Sequence, residues 1–207
     1  LEELHKEQEV LMKSFQKAEE WCKVVVEYNP SAEDIQDVFN EYQDRIVVFH
    51  FGGHANSTGI FTNAPDKQNV QKTHNEGLVD YFKMLKKLKL IFLNACDTKT
   101  LAVALGAKTN ASVIGTSNKI GDKYAQILSK AFFSGSEVEV SWERAKAALH
   151  QKYGNEENKA FFIRENANLF EEYETEEASE PLYENWDLYG EAVKNWKLSD
   201  ASGIRNH

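Results

Sequence analysis

One imidazole and one thiol stand out by their position. His54 directly follows "RIVVFHFGG" and Cys96 directly follows "KLIFLNA", two apolar runs of strand length. A cysteine attacks as the thiolate, so it needs a nearby base and a means of holding the anion. A histidine supplies that base and later the proton for the leaving group. Gly52 and Gly53 let the backbone come close to a substrate. The amides around Gly53 to Ala55, with that of Cys96, are candidates for an oxyanion hole. The short helix expected after Cys96 brings a helix N-terminus near the thiol, which favours the anion. His50 lies within its strand and reads as a core or supporting histidine, and Cys22 reads as core. His50, His54, His74 and Cys96 match no common zinc spacing, so no metal is assigned.

The elements that must position these groups follow from periodicity. Residues 1–21 carry Leu4, Leu11, Phe15 and Ala18 on one helical face. "CKVVVEY" (22–28) reads as a strand stopped by Asn29-Pro30, and Ser31 as the cap of a helix bearing Ile35, Val38, Phe39 and Tyr42. "RIVVFHF" (45–51), "KLIFLN" (89–94) and "ASVIGTS" (111–117) are apolar at nearly every position, as central parallel strands covered on both faces are. Helices are expected over 76–88, 100–107, 122–135 and 139–153, and a long loop over 52–74. Strand–helix–strand–helix–strand order signals an open α/β sheet whose function collects at the C-terminal strand ends. His54 and Cys96 fall just past two such ends. Residues 1–153 read as the core and 154–207 as an extension. The extension holds one further candidate strand at 159–165, an acidic run at 170–180 and an aromatic-rich end.

The bulk numbers exclude several classes. Net charge is −9 over 207 residues, unlike a nucleic-acid-binding surface. The basic run "KMLKKLK" (83–89) reads as a solvated helix face. No apolar run approaches membrane-spanning length. Two cysteines are no disulfide scaffold and point to a reducing, cytoplasmic setting. The chain starts at Leu1 and reads as part of a longer protein. The phosphate-binding patterns G-x-x-x-x-G-K-[ST] and G-x-G-x-x-G and the nucleophile elbow G-x-S-x-G are all missing.

"VVFHFGGHA", "LIFLNACDT" and "ASVIGTSNKIGDKYAQILSKAFF" together resemble the CHAT peptidases, caspase-like cysteine proteases related to separases. The resemblance implies a caspase-like three-layer sandwich, a mostly parallel central sheet flanked by helices. It matches His54 to the catalytic histidine and Cys96 to the catalytic thiol. It implies peptide-bond hydrolysis through a thioester, with no cofactor. The family carries glycine after the histidine, where this chain has Ala55. The strand and loop after the cysteine, 114–122, line the substrate pocket in such folds. Thr116, Ser117 and Asp122 are therefore substrate-binding candidates, with Asp97 beside the thiol. Asp122 is suited to an Arg or Lys side chain, or alternatively to capping the following helix.

The reading is a cysteine endopeptidase acting on a partner protein through a Cys–His dyad. By resemblance it is a regulated effector in a bacterial signalling or defence system, released by a sensor module in the same or a partner chain. The main alternative is a catalytically inactive caspase-like interaction module. A flavodoxin-like ligand-binding domain is disfavoured by the missing phosphate loop. Self-cleavage, if it occurs, has exposed candidates at 56–74 and 170–180.

Overall fold

The computed structural model describes residues 9, 11–13, 23–134, 138–154 and 159–163. Most of the expected N-terminal helix, Cys22, the acidic run and the aromatic-rich end lie outside these residues. Residues 9 and 11–13 are helical, and Leu11 is buried.

Helix α1 (Ala32–Tyr42) leads into β1 (Val48–Gly53). A small meander follows: β2 (Ala55–Asn56), β3 (Gly59–Asn63) and β4 (Val70–His74). Then come α2 (Asn75–Phe82), β5 (Leu90–Ala95), α3 (Lys99–Lys108), β6 (Ser112–Thr116), α4 (Asp122–Phe132), α5 (Val138–Tyr153) and β7 (Ala160–Ile163). The main sheet has the order β1-β5-β6-β7. β1, β5 and β6 run parallel, and β7 returns antiparallel to β6. The sheet therefore takes its fourth strand from beyond residue 153. Leu1–Leu169 form one compact unit; Phe170–His207 form a second unit, outside the described residues.

The apolar runs become central strands because both faces of the sheet are covered. Ile91, Leu93 and Ala95 of β5 pack with α1, α2 and α3 through Ile35, Phe39, Leu78, Phe82, Leu101 and Leu105. Leu90 and Phe92 point the other way, onto Tyr124, Leu128, Trp142 and Leu149 of α4 and α5. Successive side chains of one strand thus feed two cores. Phe92 is fully buried, worth about 1.5–3 kcal/mol of transfer free energy.

Three expectations change. Residues 55–74 are not a loop: Ala55 pairs with Ile60, and Gly59 through Asn63 pair with His74 through Val70. Short strands between polar turns lack the apolar run that marks a central strand. A Cβ on Gly59 would sit 2.3 Å from the Thr73 carbonyl oxygen, so the close pairing of β3 and β4 requires glycine. Residues 23–28 form no strand, although Val24 and Val26 are half-buried, and among the described residues no strand pairs with them. The helix expected over 76–88 ends at Phe82. The basic run lies in the turns that follow, with Leu85 and Leu88 buried and Lys83, Lys86 and Lys87 exposed. Among the described residues no helix is long and apolar enough to cross a membrane.

Candidate active site

The register of the central ladder sets the relation between the two chemical groups. β1 and β5 pair from Val48 with Leu90 through Gly53 with Ala95. Partners therefore differ by 42 in number, the same interval that separates His54 from Cys96. Both residues lie one position beyond the last paired residues, Gly53 and Ala95. On β1 and β5, His50, Phe92 and Asn94 share one face by the alternation of the pleat. That face is the α4 side: His50 stacks on Phe92 with ring centroids 5.2 Å apart. Asn94 Nδ2 donates to the Ala125 carbonyl at 3.0 Å and to Ser129 Oγ at 2.6 Å.

Cys96 is half-buried, and its thiol donates to the Ile120 carbonyl oxygen at 3.5 Å. His54 is exposed, and its carbonyl accepts the Phe61 amide at 2.8 Å. The chain after His54 is held in place. Asn56 Oδ1 accepts from the Thr58 amide and hydroxyl, and Asn75 donates to the Ser57 and Thr58 carbonyls through its side chain and its own amide. Ala55 lies in β2, and its φ is not positive. Alanine adopts that extended backbone without strain, so the departure from glycine costs nothing in conformation.

On the other side of β5 the ladder ends early. β5 and β6 pair only from Leu90 with Ser112 to Phe92 with Ile114. Beyond that point side chains bridge the strands. The Thr116 hydroxyl donates to the Ala95 carbonyl, and the Thr116 amide donates to Thr98 Oγ1 at 2.9 Å. Gly115 makes room for this: a Cβ there would lie 2.9 Å from Ala102 Cβ and 3.1 Å from Thr98 Oγ1. The turn after the thiol is left-handed at Asp97 (φ 50°), whose amide donates to the Asn118 carbonyl at 3.0 Å. Asp is among the few residues that enter this conformation readily.

Where the strands part, a cavity of about 520 Å³ opens beside the thiol. It is lined by Ala55, Asn56, Cys96, Asp97, Asn118, Lys119 and Lys159. Of the expected residues, Cys96, Ala55 and Asp97 reach it. Gly53 and His54 are not among its lining residues, though Gly53 ends the adjacent strand. Thr116 does not reach it: the residue is fully buried and its hydroxyl is spent on Ala95. Ser117 turns to β7, where its amide and hydroxyl both donate to the Lys159 carbonyl. Asp122 is exposed, is not among the lining residues and is not the helix cap. Gly121 holds that position, and Asp122 is the first residue of α4, where a negative charge meets the positive helix end.

Lys119, Lys159, Asn56 and Asn118 were not singled out from sequence. Asn118 and Lys119 stood inside the quoted segment but carried no pattern. Lys159 enters only because β7 folds back beside β6, its amide donating at 3.0 Å to the buried Tyr124 hydroxyl. Among the described residues no group of three or more His, Cys, Asp or Glu stands together as a metal site.

The fold is a three-layer α/β sandwich with a thiol just past the C-terminal end of a central strand. The family model for the caspase domain matches residues 1–185, and the chain belongs to the caspase domain family, whose fold it shows. No curated protein sequence matches it significantly. Solved structures that match include a secreted C11 cysteine protease from Bacteroides thetaiotaomicron in complex with an irreversible peptide inhibitor. That protease is 14% identical, with a TM-score of 0.41 over 58% of this chain. The match spans 37% of the protease's length.

Proposed function

We propose that the chain is a cysteine endopeptidase, with Cys96 as nucleophile and His54 as general base and acid. The observation that carries this reading is that both residues stand one position past paired strand ends, Gly53 and Ala95, with a cavity that reaches the thiol. In the first step the Cys96 proton passes to His54 and the thiolate attacks the scissile carbonyl carbon. The resulting oxyanion is met by amides from the Gly53–Ala55 segment and Cys96. Collapse expels the amine, which takes the proton from His54 and leaves a thioester. Water, deprotonated by His54, then attacks the thioester, releasing the carboxylate and restoring the thiol. The Asp97 amide is not an oxyanion donor in this scheme, because it already serves the Asn118 carbonyl.

Within the caspase domain family, the quoted motifs favour the CHAT group. On that resemblance the enzyme is a cytoplasmic effector of a bacterial signalling or defence system, acting on a protein substrate under a sensor or regulatory module. A second reading is a caspase-like interaction module without activity. It is favoured by the thiol's hydrogen bond to Ile120 in place of one to His54.

Cleavage of a randomised fluorogenic peptide library by the purified chain separates the two. The peptidase reading expects turnover that Cys96→Ala abolishes and His54→Ala lowers by at least about a hundredfold, with unfolding midpoints unchanged. Turnover that survives Cys96→Ala would remove the assignment. A folded chain without turnover, alone or with its neighbouring modules restored, favours the interaction module.

A further inference from the structure

We infer that Asn75 is a positioning residue for His54: it clamps the turn that follows the histidine and so fixes where the base is carried. The inference rests on the peptidase reading for its consequence in catalysis and on the hydrogen bonds of the turn for its content. Once β1 ends at Gly53, the chain leaves the main sheet. His54, Ala55 and Asn56 are then held by β3. The Phe61 amide donates to the His54 carbonyl at 2.8 Å, Ala55 pairs with Ile60, and Asn56 pairs with Gly59. β2 is only two residues long, and a ribbon that short does not hold its own direction. Its base is anchored by Ile60, which is buried in the core, and the far end of β3 by the Asn63 amide on the Pro30 carbonyl. The direction of the segment from His54 to Asn56 then depends on what holds the tip, Ser57 and Thr58.

Asn75 holds that tip. It is the first residue of α2 and is 7% exposed. Its Nδ2 donates to the Ser57 carbonyl at 3.0 Å, and its amide donates to the Thr58 carbonyl at 3.2 Å. One buried residue thus takes both carbonyls of an exposed turn. His74, at the cap position of α2, makes no side-chain cap bond, so the Thr58 carbonyl meets an amide of the helix's first turn in its place. Turn and helix end satisfy each other. α2 is itself fixed to the core by buried Leu78, Val79 and Phe82. Asn56 Oδ1 and Lys72 Nζ also bind Thr58, but both belong to the meander and move with it. Asn75 ties the tip to the helix. Its Oδ1 is buried and accepts no hydrogen bond among the described residues. A buried acceptor without a donor lowers stability. An apolar side chain would avoid that cost but could not hold Ser57.

Two measurements on the full chain test this, one of them independent of proteolysis. The first is amide hydrogen exchange read by mass spectrometry. Asn75→Ala is expected to speed exchange over residues 56–61 at least about tenfold and to leave β5 as protected as in the parent. Asn75→Asp keeps the shape but turns a carboxylate oxygen toward the Ser57 carbonyl. It is expected to act in the same way and serves where Asn75→Ala does not fold. Exchange over 56–61 equal to the parent's, or raised equally over 90–95, overturns the inference.

The second is peptide cleavage by the parent, Asn75→Ala, His54→Ala and the double variant. In Asn75→Ala, kcat is expected to fall about ten- to a hundredfold, with KM changed less than about twofold. A residue acting through His54 adds no further loss once the imidazole is gone, so the double variant should match His54→Ala. An unchanged kcat, or a loss of the same size in the His54→Ala background, overturns the inference and leaves the peptidase standing. A parent that cleaves no peptide counts against the peptidase reading instead. Hydrogen exchange then still decides the clamp. The rate of Cys96 alkylation by iodoacetamide across the same proteins, with Cys22 separated by peptide mapping, decides whether Asn75 acts through His54.

Discussion

Strand β5 has a different neighbour on each side, and the two ladders end differently. Toward β1 the pairing continues without interruption to Gly53 and Ala95, so the chain leaves both strands together. Toward β6 the pairing stops at Phe92 and Ile114, and the strands part before they end. His54 and Cys96 each follow the closed exit by one residue. The cavity beside the thiol is lined from both sides, by Ala55 and Asn56 beyond β1 and by Asn118 and Lys119 beyond β6. A continuous ladder places two residues in register but leaves no room between them, because backbone hydrogen bonds fill the gap. A binding space needs the ladder to fail, and the backbone groups so released need other partners. Thr98 and Thr116 supply them, together with the loop carbonyl of Asn118.

The comparison can be broken most severely at the strand both exits share. Phe92→Ala removes a fully buried ring in contact with Phe132, Phe133 and His50 and is expected to cost about 3–5 kcal/mol. Urea unfolding measures this loss. Peptidase activity is expected to fall with the folded fraction, because both exits go together.

A smaller change isolates the open exit. Thr116→Val keeps the shape but removes the donor to the Ala95 carbonyl. About 1–3 kcal/mol of stability is expected to be lost. Under conditions where the variant remains folded, kcat/KM is expected to fall because the turn carrying Cys96 loses a support. Thr116→Ser restores both. If Thr116→Val is as stable as the parent, the threonine bridge does not hold the parted strands.

The smallest effect belongs to a control remote from both exits. Asp34 accepts the Ser31 amide at 2.8 Å in the α1 capping box and pairs with Lys67 at 3.2 Å. The Ser31 backbone hydrogen bond, aided by Lys67 and opposed by a little burial, holds its carboxyl below the usual range. A lowered folded value means that the contribution is present above the unfolded value and is lost as pH falls through the folded one. Asp34→Asn is expected to cost about 0.5 kcal/mol at neutral pH, given the exposure of the pair. The difference from the parent should close below about pH 4. Peptide cleavage should not change, since α1 contributes no residue to the cavity.

Much of the scaffold was legible because a strand buried on both faces must be apolar at successive positions. β1, β5 and β6 announced themselves in this way, and so did the thiol and imidazole at their ends. The meander of β2, β3 and β4 did not. Its strands are short and partly polar, and Val70 through His74 alternate between exposed and half-buried positions. Residues 23–28 had the composition of a strand, but strand formation depends on a pairing neighbour as well as on propensity, and no described strand pairs with them. The misplaced pocket carboxylate has a similar cause. Asp122 follows the right strand at a plausible interval, but its direction is set by the start of α4, which turns it to solvent.

By itself, the sequence determined the class of fold and the two residues at the strand ends, because both follow from local chemistry. Burial on two faces demands continuous apolar runs, and a glycine pair or a polar turn ends them. The interval of 42 was visible, but only the pairing of β1 with β5 gives it meaning as a register. The tertiary structure decided which faces share a space. It parted β5 from β6, returned β7 antiparallel to bring in Lys159, and turned Thr116 inward and Asp122 outward. Those outcomes depend on hydrogen bonds between segments distant in the chain, such as the Lys159 amide on Tyr124, and no local pattern encodes them.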